Sequence, residues 1–301
     1  MGIGDVFEVE ATTNCYYVDT GMYDAAEYGA VYILDVEQPT IIDAGIGTNY
    51  ELILDALETV GIDPSALENI VTTHVHLDHA GGAGFIAEET GATVYVHESG
   101  AKFLADPTRL WEGTKAAVGS QIQFYTEPKP VPTEQLEPIH DGGVVDLGDV
   151  ELDVHRAPGH AFHQVVLHDN DADMVYAADA AGVYVPALDL VRAVSPPPGF
   201  DLEQVIDDAH MVASLDPETV CYAHFGPAPI DDRIAAFVAA ITDWVESIAE
   251  KRAELGSDEA VVEHFVEATN MHDLWGTIKA EGEAAMNTRG VMHYLDTRAE
   301  S

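Results

Sequence analysis

The sequence predicts a mixed α/β fold: a two-layer β core running to about residue 228, followed by helices alone. Three observations carry this reading. Short runs rich in β-branched and aromatic residues alternate with helical patterns as far as Tyr222. After Pro229 the apolar residues Ile234, Phe237, Val238, Ile241, Val245 and Ile248 keep a spacing of three to four. Histidines and aspartates gather just after the predicted strands, where loops held by a rigid scaffold carry function. The expected division is a catalytic unit over 1–228 and a helical extension over 229–301.

In chain order, Val31-Tyr32-Ile33-Leu34 and Thr40-Ile41-Ile42 read as strands with Gln38-Pro39 between them. Thr48 and Glu51 form a capping-box pattern opening a helix whose apolar face is Ile53, Ala56, Leu57 and Val60, with Gly61 ending it. A strand over 69–73, a short helix and the strand Thr93–Val96 follow. Residues 98–138 read as helical and irregular, stiffened by Pro128, Pro130 and Pro132. Strand patterns return at 150–154, 163–167 and 174–177. A helix capped by Asp201 with Gln204 comes next, then a last short strand, Thr219–Tyr222. There is no internal repeat.

The charge balance is extreme, with 12 Lys+Arg against 54 Asp+Glu and a formal net charge of −42. The acidic residues are dispersed over a chain that is 47% hydrophobic, so disorder is not the expectation. Dispersed acidity on a foldable chain points to adaptation to concentrated salt, of the haloarchaeal type. It weighs mildly against a broad polyanion surface, because phosphates need Lys and Arg. Cys15 and Cys221 stand far apart and read as reduced. No secretory or myristoylation signal and no apolar stretch of membrane-spanning length is visible, so a cytoplasmic protein without a membrane partner is expected.

The most informative segment is His74-Val75-His76-Leu77-Asp78-His79, which packs four candidate metal ligands into six residues. The small residues Ala80-Gly81-Gly82-Ala83-Gly84 then let the backbone turn sharply into a helix. His160, Asp179 and His224 each follow a predicted strand. Together the set offers five histidines and two aspartates, enough for two metals and a bridging group.

These residues, with Ile42-Asp43-Ala44-Gly45, resemble the motif series of the metallo-β-lactamase-fold hydrolases, in the same order and at similar spacing. The resemblance covers roughly the first three-quarters of the chain. It implies an αββα sandwich with the site along one edge. It also implies that His74, His76 and His160 hold one divalent metal, that Asp78, His79 and His224 hold the second, and that Asp179 bridges them. Zinc is the expected metal, with iron and manganese accepted by the same donors. Asp43 resembles the family aspartate that orients a ligand histidine. The implied nucleophile is a hydroxide held between the metals, with Asp78 as its proton acceptor.

The expected reaction is hydrolysis of a small-molecule ester-like bond, a thioester or a lactone, as in the glyoxalase II-like branch. Only 45 positions separate Asp179 from His224, which leaves no room for a large inserted domain. Two departures are visible: His160-Ala161-Phe162-His163 does not follow the glyoxalase II pattern, and no basic group for glutathione stands out beyond Arg289. The second reading is a phosphodiesterase or nuclease of RNase Z type, which makes nucleic acid the second-choice partner; the third is a non-catalytic metal-dependent binding module. Arg109 and Lys102 are noted as candidate substrate contacts, and His163 as a candidate pocket residue. His97, His140, His155, His168, His210, His264, His272 and His293 read as ordinary histidines. The apolar stripe after Pro229 suits core or a subunit interface, which admits a homodimer.

Overall fold

The computed structural model describes residues 2–10 and 12–300. Seven strands make the first sheet, in chain order: β1 (Val6–Glu8), β2 (Cys15–Asp19), β3 (Ala30–Leu34), β4 (Thr40–Ile42), β5 (Asn69–Val71), β6 (Thr93–His97) and β7 (Leu136–Ile139). The second sheet contains β8 (Val144–Asp146), β9 (Glu151–Arg156), β10 (Val165–Asp169) and β11 (Met174–Ala178). A separate hairpin, β12 (Val183–Val185) and β13 (Leu190–Arg192), precedes β14 (Thr219–Tyr222) and β15 (Gly226–Pro229), which complete that second sheet. The helices are α1 (Tyr50–Thr59), α2 (Leu77–Ala80), α3 (Ala83–Thr90), α4 (Ala101–Ala105), α5 (Thr108–Val118), α6 (Leu202–Ser214), α7 (Arg233–Leu255), α8 (Asp258–Ala268) and α9 (His272–Glu300).

Alternation along the strands explains the layering. Ile42, Val71, Val154, Leu167, Tyr176 and Cys221 fill the space between the sheets. Intervening residues such as Ile41, Ile70 and Val94 meet Ile53, Leu57 and Ile86 of α1 and α3. On the far side, Val166, Val175 and Val220 meet Val205, Ile234, Phe237, Val261 and Val291 of α6–α9. The result is the expected αββα sandwich, with α7–α9 sharing one core with the second sheet.

Direction decides where the functional loops fall. β4, β5 and β6 are mutually parallel, and β11 is parallel to β14. Their carboxyl ends therefore open on common edges, and the chain reaches Asp43, His74, Asp179 and His224 within two residues of leaving β4, β5, β11 and β14, or three for His74.

Several expectations need correction. Thr48 and Glu51 do not form a capping box. Asn49 precedes α1 without a side-chain cap, and the Thr48 hydroxyl instead donates to Phe124 O at 2.6 Å. The last strand of the sheet is β15, not Thr219–Tyr222. The irregular segment ends in the strand β7, and β8 and the β12–β13 hairpin were not anticipated. The Asp201 cap is present, accepting from Gln204 N at 3.1 Å.

The loop bearing His160 is pinned to α6. Gly159 N donates to Asp208 Oδ2 at 2.6 Å, and Gln204 Nε2 donates to Oδ1 at 3.0 Å. A Cβ on Gly159 would lie 2.3 Å from Val205 N, so only glycine lets the loop approach the helix this closely. Burial pushes the Asp208 carboxyl up to about 6, against the lowering effect of its two hydrogen bonds. A carboxyl raised on folding carries no ionisation penalty below the unfolded value near 4, and the full penalty above about 6. Asp208→Asn keeps an acceptor for Gly159 and removes the ionisation. Its stability relative to the parent should therefore rise by about 1–3 kcal/mol between pH 4 and pH 7, read from denaturant midpoints at the two pH values. A difference independent of pH would remove this assignment.

Candidate metal centre

The His74–His79 segment leaves β5 and enters α2 directly, so its backbone is anchored at both ends. The neighbouring loop approaches closely enough that a Cβ on Gly82 would lie 2.1 Å from Ala44 O. Asp43 adopts φ +63°, a left-handed conformation that Asp tolerates better than most residues. From there Oδ1 accepts from Thr73 N and Thr73 Oγ1 at 2.8 and 2.9 Å, and Oδ2 lies 2.9 Å from His79 Nδ1. On the opposite sheet the β11–β14 register shifts between Tyr176 and Ala178, and Ala178 has φ +48°. That local strain re-aims the next side chain, Asp179, into the edge.

All seven expected donors converge. His74 Nε2 lies 3.1 Å from His76 Nδ1, which lies 3.0 Å from His160 Nε2. Asp179 Oδ2 is 3.5, 3.1 and 3.5 Å from the Nε2 atoms of His74, His79 and His160, while Oδ1 is 3.8 Å from His224 Nε2. His224 Nε2 is also 3.9 Å from Asp78 Oδ2. Among these seven residues, three triplets have donor atoms mutually within 4.8 Å: His74-His76-His160, His74-His79-Asp179 and Asp78-His79-His224. Asp179 thus stands between the two groups of donors.

The donors fit cations. His79 Nε2 and both Asp179 oxygens are buried without a hydrogen-bond partner, although Nε2 and Oδ2 are 3.1 Å apart. Buried polar atoms left without such a bond are costly unless a positive charge compensates them. The outer nitrogens are meanwhile occupied: His79 Nδ1 by Asp43, His224 Nδ1 by Tyr28 O at 3.2 Å, and His74 Nδ1 by Thr73 Oγ1 at 3.2 Å. Such partners fix each ring so that its inner nitrogen faces the centre.

Burial alone would push the Asp179 carboxyl up, yet His160, His79 and His224 hold it far below the usual range. Asp78 behaves likewise, with His79, His224 and His76 outweighing burial. Burial and then His160 push the His76 imidazole down to about 3. Burial would also lower His79, but Asp179 and Asp43 outweigh it and raise it well above the ordinary imidazole value.

Above the donors lies a cavity of about 320 Å³. His163 lines it, buried beside His76 and Phe162, as does Arg109. Lys102 does not; its ammonium sits 4.9 Å from the Phe103 ring centroid. Arg289 is exposed and also outside the lining.

A tyrosine cluster and one face of α9 were missed from sequence. Tyr23 Oη donates to Asp78 Oδ2 at 3.4 Å and lies 2.6 Å from Tyr125 Oη. Tyr28 Oη donates to Glu283 Oε2 at 3.3 Å, and Glu283 pairs with the buried Lys279. The Lys279 ammonium stands 3.9 and 4.2 Å from the Tyr23 and Tyr28 ring centroids. Asn287 Nδ2 donates to Glu283 Oε1 at 2.9 Å. The available signal was the four-residue spacing of Lys279, Glu283 and Asn287, which puts them on one helix face.

The sequence profile of the metallo-beta-lactamase superfamily matches residues 25–224. An uncharacterized protein of Mycobacterium tuberculosis is 32% identical over 144 residues, covering 46% of this chain and 60% of the relative. The acyl-coenzyme A thioesterase MBLAC2 of Bos taurus is 27% identical over 183 residues, covering 54% of this chain and 62% of the relative. The matched region thus spans about three-fifths of the length of these two relatives. An archaeal metallo-β-lactamase superfamily protein from Sulfolobus tokodaii shares the fold with a TM-score of 0.70 at 20% identity, over 93% of this chain and 99% of that one.

Asp43 holds His79 and the end of β5 at once, so its charge should matter for metal binding. Asp43→Asn should weaken the affinity for Zn²⁺ by about 10–100-fold, read by competition with a chelating dye. Unchanged affinity in a folded variant would remove Asp43 from the centre.

Proposed function

The chain belongs to the metallo-β-lactamase superfamily, and we propose that it is a metal-dependent hydrolase cleaving a small-molecule ester-like bond, a thioester ahead of a lactone. The observation that carries the reading is the cavity. It sets the donor atoms beneath a largely apolar wall that includes Phe103, Leu110, Val118, Phe162, Val194 and Met286, with Arg109 its only Lys or Arg among the described residues. Such a wall suits an apolar acyl group with one anionic anchor, and gives little to the repeated phosphates of a nucleic acid. The similarity to a relative named as an acyl-coenzyme A thioesterase supports the same choice.

His74, His76 and His160 would hold one divalent ion and Asp78, His79 and His224 a second, with Asp179 between them; zinc suits this imidazole-rich set. Bound there, the ions would polarise the scissile carbonyl and acidify water. The chain does the rest. Asp78, kept ionised by His79, His224 and His76 despite burial, serves as proton acceptor while Tyr23 donates to its Oδ2. Phe103 and Phe162 shield the acyl group from solvent. Arg109, exposed at the rim, is placed to engage an anionic leaving group. The acidic surface fits a cytoplasm rich in salt. Arg289 lies outside the cavity and a glutathione carboxylate would meet Arg109 alone among the described Lys and Arg residues of the lining, so the wall suits an apolar acyl thioester better than a glyoxalase II-like substrate.

The test is a paired assay in molar salt with metal-replete protein. One arm offers acyl thioesters, S-lactoylglutathione and lactones; the other offers a chromogenic phosphodiester and a short RNA. Turnover confined to the first arm, and lowered at least about 10²-fold by Asp78→Ala, is the expected result. Turnover confined to the second arm would make the protein a nuclease. Arg109→Ala should raise KM for an acyl-coenzyme A several-fold with kcat nearly unchanged, since a rim contact contributes equally to ground and transition states. A fall in kcat at constant KM would place Arg109 at the reacting atoms instead.

A further inference from the structure

Away from the edge loops, the outer face of the second sheet carries another group of metal-competent side chains. Residues two apart on a strand share a face, so Asp153 and His155 of β9 point the same way. In the antiparallel register His168 of β10 lies directly opposite Asp153, and Val166 opposite His155. Leu152, Val154 and Leu167 take the inner face, which sends all three polar residues outward. The pleat thus brings together two imidazoles and a carboxylate, whose donor atoms lie within 4.8 Å of one another.

We infer that Asp153, His155 and His168 form a separate binding site for an imidazole-preferring divalent transition metal, of the zinc and copper class, with water completing the coordination. Three observations support it. His155 Nε2 is buried and has no hydrogen-bond partner, although its side chain as a whole is only partly buried. His168 is 6% exposed, so its imidazole is held in place by packing. Asn170 Nδ2 donates to Asp153 Oδ2 at 2.6 Å, which holds the carboxylate in place. Two imidazoles and one carboxylate are also the ligand set of many three-residue zinc sites that leave a position open to water. An ion here would tie β9 to β10, whose connecting loop carries His160. The site shares no residue with the edge centre and does not depend on the hydrolase reading.

Zinc content and NMR test it together. The parent protein, His155→Gln and Asp153→Asn are saturated with Zn²⁺ in molar salt containing excess Mg²⁺, which occupies the acidic surface, and are then desalted and counted. His155 is the primary variant because it is the less buried histidine; Asp153→Asn provides a milder one. The parent should retain one zinc equivalent more than His155→Gln, and Asp153→Asn should bind that equivalent at least about tenfold more weakly. In the parent, zinc should shift the imidazole nitrogen resonances of His155 and His168 at a stoichiometry separable from those of His74, His76 and His79. Equal zinc content and affinity in all three proteins would overturn the assignment, as would unmoved His155 and His168 resonances at saturation.

Discussion

Asp179 places a carboxylate, 2% exposed, among the imidazoles of His74, His79, His160 and His224, with neither oxygen hydrogen-bonded. A charge so placed costs several kcal/mol unless opposite charge surrounds it. The imidazoles supply part of that compensation, and cations at the centre would supply the remainder. The donors come from both sheets: His74, His76, Asp78 and His79 from the end of β5, and His160, Asp179 and His224 from loops after β9, β11 and β14. The edge of the sandwich is therefore fixed electrostatically as well as by apolar packing. The left-handed backbone at Asp43 and Ala178 becomes intelligible in that light, since each re-aims a side chain the centre requires.

The donor set was readable because it is local or marked. Four donors lie within six residues, and His160, Asp179 and His224 each stand in a small-residue context after a strand. The long interior strands were readable for a similar reason: Val31–Leu34 and Met174–Ala177 are apolar throughout because both of their faces are covered. The missed strands β7, β8, β12, β13 and β15 are only three or four residues long, and exposed residues in β8 and β13 erase the apolar run. The Thr48 pattern misled because a hydroxyl takes whichever acceptor tertiary packing presents, here Phe124 O rather than the start of a helix. The Tyr23–Tyr125 pair is separated by 102 residues and has no local signature at all.

Scarcity gives the basic residues a meaning they would lack in an ordinary protein. With 12 Lys+Arg in 301 residues, a cation on a helix is not a default solvated side chain. Lys279 is 2% exposed and lies against two tyrosine rings and Glu283, one layer behind Asp78 and His224. Burial would push the Glu283 carboxyl up, but Lys279 and Asn287 hold it below its usual value. Arg252 makes paired contacts with Asp258 and Asp296, joining α7 to the start of α8 and the end of α9. In molar salt, where screening reaches down to about 3 Å, only such close contacts retain much electrostatic weight.

The helices after Pro229 extend the sequence but are continuous with the rest in packing. Ile234, Phe237, Val261 and Val291 share one core with the outer face of the second sheet. α9 also reaches the centre itself, with Met286 in the cavity wall and the Lys279–Glu283 pair behind it. The metal-competent edge and the cavity roof thus have different origins. The edge is built from strand-end loops, whereas the roof combines α4, α5, the turn Pro196-Pro197-Pro198 and α9. A shared edge sets the class of chemistry, and the roof bounds the space through which a substrate would reach it. Substrate choice should therefore follow changes in Phe103, Leu110 and Met286 more closely than changes in the donors, because those side chains line the space the substrate must fill.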